Sequence, residues 1–144
     1  MAIADAASQS IDEAIAGAFD GDTAAAARAW SRLEADGTAV IQMLRAAGTH
    51  VRQLMAVEAA RAAGTPPAKA VASLKPPPFG SRRDALIRHA GIWRGRDVAR
   101  ALDHVEAAEI SAKTGGTPPE LAVRQLFWTI AVRARALRNS RKRS

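Results

Sequence analysis

Residues 70–116 read AVASLKPPPFGSRRDALIRHAGIWRGRDVARALDHVEAAEISAKTGG, and the order of parts in this stretch decides the fold. A short helix runs out at Leu74, where Lys75-Pro76-Pro77-Pro78-Phe79-Gly80 takes over. Proline lacks the backbone N–H and keeps its predecessor out of the helical region, so these six residues form an extended, stiff corner. Phe79 is expected to plug the core there. A proline-rich ligand for a recognition domain is the other use of such a run, and three prolines inside a folded chain fit it poorly. Ser81 is the expected N-cap of a helix over 82–94, with Leu86, Ile87, Ala90 and Trp93 as its inner face. A further helix over 97–113 carries the stripe Val98, Ala101, Leu102, Val105, Ala108 and Ala112, and Thr114-Gly115-Gly116 ends it.

The same periodicity extends in both directions. Ser10-Ile11-Asp12-Glu13 fits a capping box, with Ser10 as N-cap, opening a short helix to Phe19. Asp20-Gly21-Asp22 is a turn, and a helix over 23–35 sets Trp30 and Leu33 on one face with Ala26 and Ala29, with Gly37 as its stop. Thr38 can cap a long helix over 39–63 whose stripe is Val40, Leu44, Ala47, Val51, Leu54 and Met55. Gly48 inside it costs about 1 kcal/mol relative to Ala, which predicts close packing or a kink. Gly64 ends that helix, and Thr65-Pro66 opens a short one over 66–74. Thr117-Pro118-Pro119-Glu120 starts the last helix, over 118–137. Val123, Leu126, Phe127, Ile130, Ala134 and Leu137 form one stripe on it, while Leu121, Trp128 and Val132 lie on the opposite side. A helix apolar on two faces is either central in its own domain or covered by a partner.

Composition agrees with an all-α chain, a single bundle of six to seven helices. Alanine, the best helix former, dominates the apolar residues of this 144-residue sequence. The expected organisation is a flexible N-terminus over 1–9, a helical domain over 10–138 and a basic disordered tail over 139–144. There is no cysteine, so disulfides and cysteine metal sites are excluded, which fits a reducing cytosol. No run of uncharged apolar residues is long enough to span a membrane, and Met1–Asp12 lacks the basic n-region of a signal peptide. The expected location is the cytoplasm.

The net charge of +7 is unevenly placed. Arg133, Arg135, Arg138, Arg141, Lys142 and Arg143 face no acid within 133–144, while residues 1–36 carry seven acids against Arg28 and Arg32. Such asymmetry suggests a polyanion or an acidic partner near the C-terminal end; a solvated tail is the other reading. A second basic segment runs from Lys75 through Arg82, Arg83, Arg88, Arg94 and Arg96 to Arg100. On one face these could neutralise phosphates, and a helix-turn-helix could form through Gly95. Yet the helix after Gly95 carries Asp103, Glu106 and Glu109, which is wrong for a recognition helix.

Motifs for catalysis are missing from the sequence. There is no GxxxxGK[ST] phosphate loop, no GxGxxG after a strand, no HExxH and no GxSxG elbow. His50, His89 and His104 are never spaced at i,i+4, and each is expected at the surface or its boundary. A small hydrolase would need one of them to meet a nucleophile in a pocket. Glu106 and Glu109, with Arg100, Asp103 and Lys113, read as an exposed ion-pair face.

Taken in order, these parts resemble the C-terminal helical domain of the delta subunit of the bacterial DNA polymerase III clamp loader, from about Ser10 to Leu137. The carriers are Ser10-Ile11-Asp12-Glu13, Phe19-Asp20-Gly21-Asp22, Gly37-Thr38-Ala39-Val40, Gln53-Leu54-Met55-Ala56-Val57 and Pro76-Pro77-Pro78-Phe79. They continue with Arg82-Arg83-Asp84-Ala85-Leu86, Trp93, Glu109, Lys113-Thr114-Gly115, Pro119-Glu120 and the final helix. No single motif is specific; the ordered set is.

The resemblance implies a helical collar domain, packed in a ring against the collars of the other loader subunits. It implies an excised or separately encoded domain, without the N-terminal parts that open the sliding clamp and without ATP-hydrolysing machinery. It further implies no enzymatic activity, no cofactor and no metal, with the other loader subunits as partners. Candidate interface residues are Trp30, Leu121, Trp128 and Val132. Candidate contacts to primer-template DNA are Arg133, Arg135, Arg138, Arg141, Lys142 and Arg143, which the family pattern does not itself explain. A free-standing basic helical DNA-binding protein is the competing expectation.

Overall fold

Helix-forming composition with few interruptions gives seven α-helices and no strand among the described residues. The computed structural model describes residues 2–35 and 40–143, with side chains from Ser8 to Lys142. The helices are α1 (Ala2–Asp20), α2 (Thr23–Ala35), α3 (Val40–Ala62), α4 (Pro67–Ala72), α5 (Gly80–Ala90), α6 (Arg96–Thr114) and α7 (Pro119–Arg143). The expected stop at Gly37 and cap at Thr38 lie outside the described residues.

α3 is the axis of the bundle and touches every other helix except α2. α1 and α2 form a hairpin that leans on α7, α6 lies against α3 and α7, and α4 and α5 close the remaining side of α3. The core is one cluster built from all seven helices, with Phe19, Leu33, Leu54, Leu86, Trp93 and Ile130 among its largest fully buried members. The stripes expected on α3, α6 and α7 are largely those buried; Met55, at the edge of the α3 stripe, is exposed. Gly48 is buried in an unbroken α3, and a methyl group there would lie 3.5 Å from Val105 Cγ1 of α6.

The α1–α2 hairpin depends on two glycines. A Cβ at Gly17 would lie 2.9 Å from the Ala26 nitrogen, so the two helices approach backbone to backbone, flanked by buried Ala14, Ala18 and Ala29. Gly21 turns the chain with φ +77°, and a Cβ there would lie 2.5 Å from the Arg135 nitrogen of α7. Asp22 caps α2 by accepting a 3.0 Å bond from the Ala25 N–H.

Several local expectations need correction. α1 begins at Ala2, so Ser10 is inside a helix and caps nothing; residues 2–9 add good helix formers without a breaker. The N-cap position of α4 is Pro66, which makes no side-chain cap bond, with Pro67 in the first turn, one residue after the expected Thr65 cap. α5 starts at Gly80 after an extended Phe79, so Ser81 is not its cap. Phe79 itself is 85% exposed and plugs nothing; the core-cluster residues nearest in sequence are Val71 of α4 and Leu86 of α5, both buried. Finally, α7 continues as helix to Arg143, past the tail expected from residue 139.

Candidate partner surface and the buried histidine pair

The reason α7 continues lies in what its basic side chains reach. The last carbonyls of a helix have no intrahelical donor, and a cation there also meets the negative end of the helix dipole. Arg138 donates to the Asp20 carbonyl at the end of α1 (2.8 Å), and Arg141 donates to the Ile92 carbonyl just beyond α5 (2.9 Å). Arg133 pairs with Asp97 at the start of α6 (2.8 Å). Three of the six basic residues offered for phosphate contact are therefore engaged by the fold itself. Arg135 and Lys142 are exposed, and the side chain of Arg143 lies outside the described residues.

The four candidate interface residues separate in the same way. Trp30 is only 7% exposed; its indole donates to Glu34 Oε1 (2.6 Å) and its ring stacks at a tilt on Phe127, 5.9 Å between centroids. It is a core residue, on one face with buried Ala29 and Leu33, and not the interface residue expected. Leu121, Trp128 and Val132 remain outside, and Trp128 is 62% exposed. At 3.6 residues per turn they fall within about 40° of arc. Trp128 and Val132 form one wall of a groove of about 510 Å³ between α6 and α7, with Ala101, Arg100 and His104 opposite.

Trp93 is buried, and its indole donates to the Phe19 carbonyl at 3.0 Å, satisfying another orphan carbonyl of α1. Around this contact sits a constellation that sequence reading missed. His50 of α3 and His89 of α5, both expected at the surface, are 6% and 0% exposed. His50 Nε2 lies 2.8 Å from His89 Nδ1, and His89 Nε2 lies 2.9 Å from Asp20 Oδ1. Phe19 packs on both imidazoles and on Trp93. Arg88 grips both oxygens of Asp20, at 2.8 and 3.0 Å. His104 alone of the three histidines is exposed.

Burial pushes the Asp20 carboxyl up, but the hydrogen bonds from His89 and Arg88 outweigh it and hold it down at about 2. Asp20 is therefore a carboxylate at neutral pH and can only accept. His89 therefore donates from Nε2 to Asp20, and its Nδ1 shares a hydrogen bond with His50 Nε2. Burial, followed by the charges of His89 and Arg82, holds His50 well below the ordinary imidazole value; Asp20 opposes this and Arg88 adds to it. The relay joins α1, α3 and α5, and His50 lines a groove between them together with Asp12, Glu13, Ser81, Arg82 and Arg88. Among the described residues no hydroxyl bonds to any of the three histidines, and no cluster of three ligating side chains could hold a metal. No helix among the described residues is long and apolar enough to cross a membrane.

Comparison of the chain with protein-family models, with curated proteins and with solved structures finds no match.

Proposed function

We propose that this chain is a non-catalytic assembly module that docks on sister proteins through the outer face of α7. The observation that carries this is the exposed Leu121–Trp128–Val132 stripe on a helix whose opposite face is core. An aromatic anchor flanked by aliphatic side chains is the composition of an energetic centre in a protein interface. On the resemblance above, the finer reading is the collar domain of the delta subunit of a bacterial DNA polymerase III clamp loader, acting in the cytoplasm at the replication fork. Its partners would then be the collars of the other loader subunits, and the ring would hold the loader together while other domains engage clamp and nucleotide.

A free-standing DNA-binding role is less well supported. Arg133, Arg138 and Arg141 are bonded within the fold, and Arg82, Arg83 and Arg88 face Asp12, Asp84 and Asp20. The test is co-purification with the other loader subunits, beside salt-titrated binding to duplex DNA. Association with the subunits, weakened at least tenfold by Trp128→Asp and little by Arg135→Ala, supports assembly. Tight duplex binding by a chain that ignores the subunits contradicts it.

A further inference from the structure

The α7 stripe does not stand in a neutral setting. About 50° round the helix from Leu121, Trp128 and Val132, the positions of Arg124, Arg135 and Lys142 line up along one edge. All three are exposed, and none has an acidic partner among the described residues. Across the groove, α6 presents Arg100, also exposed and without such a partner. The one acid in the groove, Asp97, is neutralised by Arg133. The apolar line is thus bordered on both sides by positive side chains that form no ion pair among the described residues.

We infer, resting on the assembly reading, that the segment docking here is an amphipathic helix whose apolar face is flanked by Asp and Glu. Leu121 to Val132 span about 16 Å at 1.5 Å per residue, three turns of an apposed helix. Acidic flanks would meet the Arg124–Arg135–Lys142 edge on one side and Arg100 on the other. Complementary charge of this kind selects the partner and speeds encounter. Single-stranded nucleic acid would also meet the cations, but Trp128 is the only exposed aromatic on α7, and Leu121 and Val132 offer no flat ring for a second base. The observations therefore favour a protein.

The test uses fluorescent helical peptides of about 18 residues, five turns, sharing one Leu/Phe face and differing only in Glu, Lys or Gln flanks. An oligothymidylate serves as competitor. The expected result at low salt is at least tenfold tighter binding of the Glu-flanked peptide than of the Lys-flanked one. That preference should shrink at high salt, as screening of exposed charges requires. Trp128→Ala should weaken all peptides at least tenfold. Arg124→Gln with Arg135→Gln should abolish the Glu preference and leave Gln-flanked binding unchanged. Circular dichroism confirms that each variant stays folded, since none of these residues is in the core. Equal binding of Glu- and Lys-flanked peptides through Trp128 overturns the acidic partner and leaves the assembly reading standing. No peptide binding at all counts against both. Oligothymidylate binding that exceeds the Glu-flanked peptide and is lost with Trp128→Ala assigns the face to nucleic acid instead.

Discussion

Asp20 shows how much one side chain can join in a small bundle. Its carboxylate holds His89 and Arg88 of α5, its carbonyl takes Arg138 of α7, and through His89 it reaches His50 of α3. Replacing it with Asn keeps the shape but removes the charge that both partners need. Asp20→Asn should cost about 2 kcal/mol in urea denaturation, the range for hydrogen bonds to charged groups. His50 adds a pH dependence with a definite sign. Its value in the fold lies well below 6.5, so the unfolded chain takes up the proton first. Its contribution is complete above 6.5 and is lost as pH falls from there toward the folded value, by up to about 1.4 kcal/mol per pH unit. His50→Gln, which can still hydrogen-bond to His89, should flatten the stability profile below pH 6.5; an unchanged slope would show that His50 does not titrate in this way. The Asp20 contribution persists lower, complete above 3.8 and lost only as pH falls toward 2. None of this was legible as a motif, because the three residues lie 39 and 69 positions apart. A weaker signal was present: His89 sits three residues after Leu86 and four before Trp93, on the inner face of α5. Trp30 likewise shared its face with Leu33, and its period pointed to the core despite its being offered as an anchor.

At the scale of elements, the sequence pattern carried further. Apolar residues at three- and four-residue steps, cut by Gly and Pro, located all seven helices, and the inner stripe of α7 is buried residue for residue. Ends were less legible. A capping pattern such as Ser10 to Glu13 works only if the chain before it is not helical, and residues 2–9 are helical. The α7 extension to Arg143 depends on long-range donors that spacing cannot reveal. Their contribution is measurable. Arg138→Ala, which strips a donor from the Asp20 carbonyl, should lower stability by about 1 kcal/mol. Arg135→Ala, on the exposed face, should stay within about 0.5 kcal/mol of the parent in the same urea titration. The α1–α2–α7 junction is stricter. Gly21→Ala must place a Cβ against the α7 backbone at a positive φ, with no flexible atom to yield. It should cost at least about 2 kcal/mol, seen as a lower midpoint and a looser amide-exchange pattern in α1 and α2. A neutral outcome would mean that α7 does not close on this turn as described.

For the molecule as a whole, the polar and ionic network seals α1, α3, α5 and α7 together and leaves one helix face apolar, aromatic and unpaired. The sequence already contained that division, because α7 carries apolar residues on two opposite faces and only one can be central. What it could not contain is the choice between the faces, which depends on where α1, α3 and α6 come to lie. The face left outside gives the chain its proposed purpose. That claim, in its finer form as a proposed loader collar, is tested most directly by sedimentation of the purified chain mixed with the subunits of a bacterial clamp loader. The parent chain is expected to sediment with them as one species. Trp128→Asp should sediment alone with its helical circular dichroism intact. A parent chain that is folded yet stays monomeric in that mixture would contradict the account.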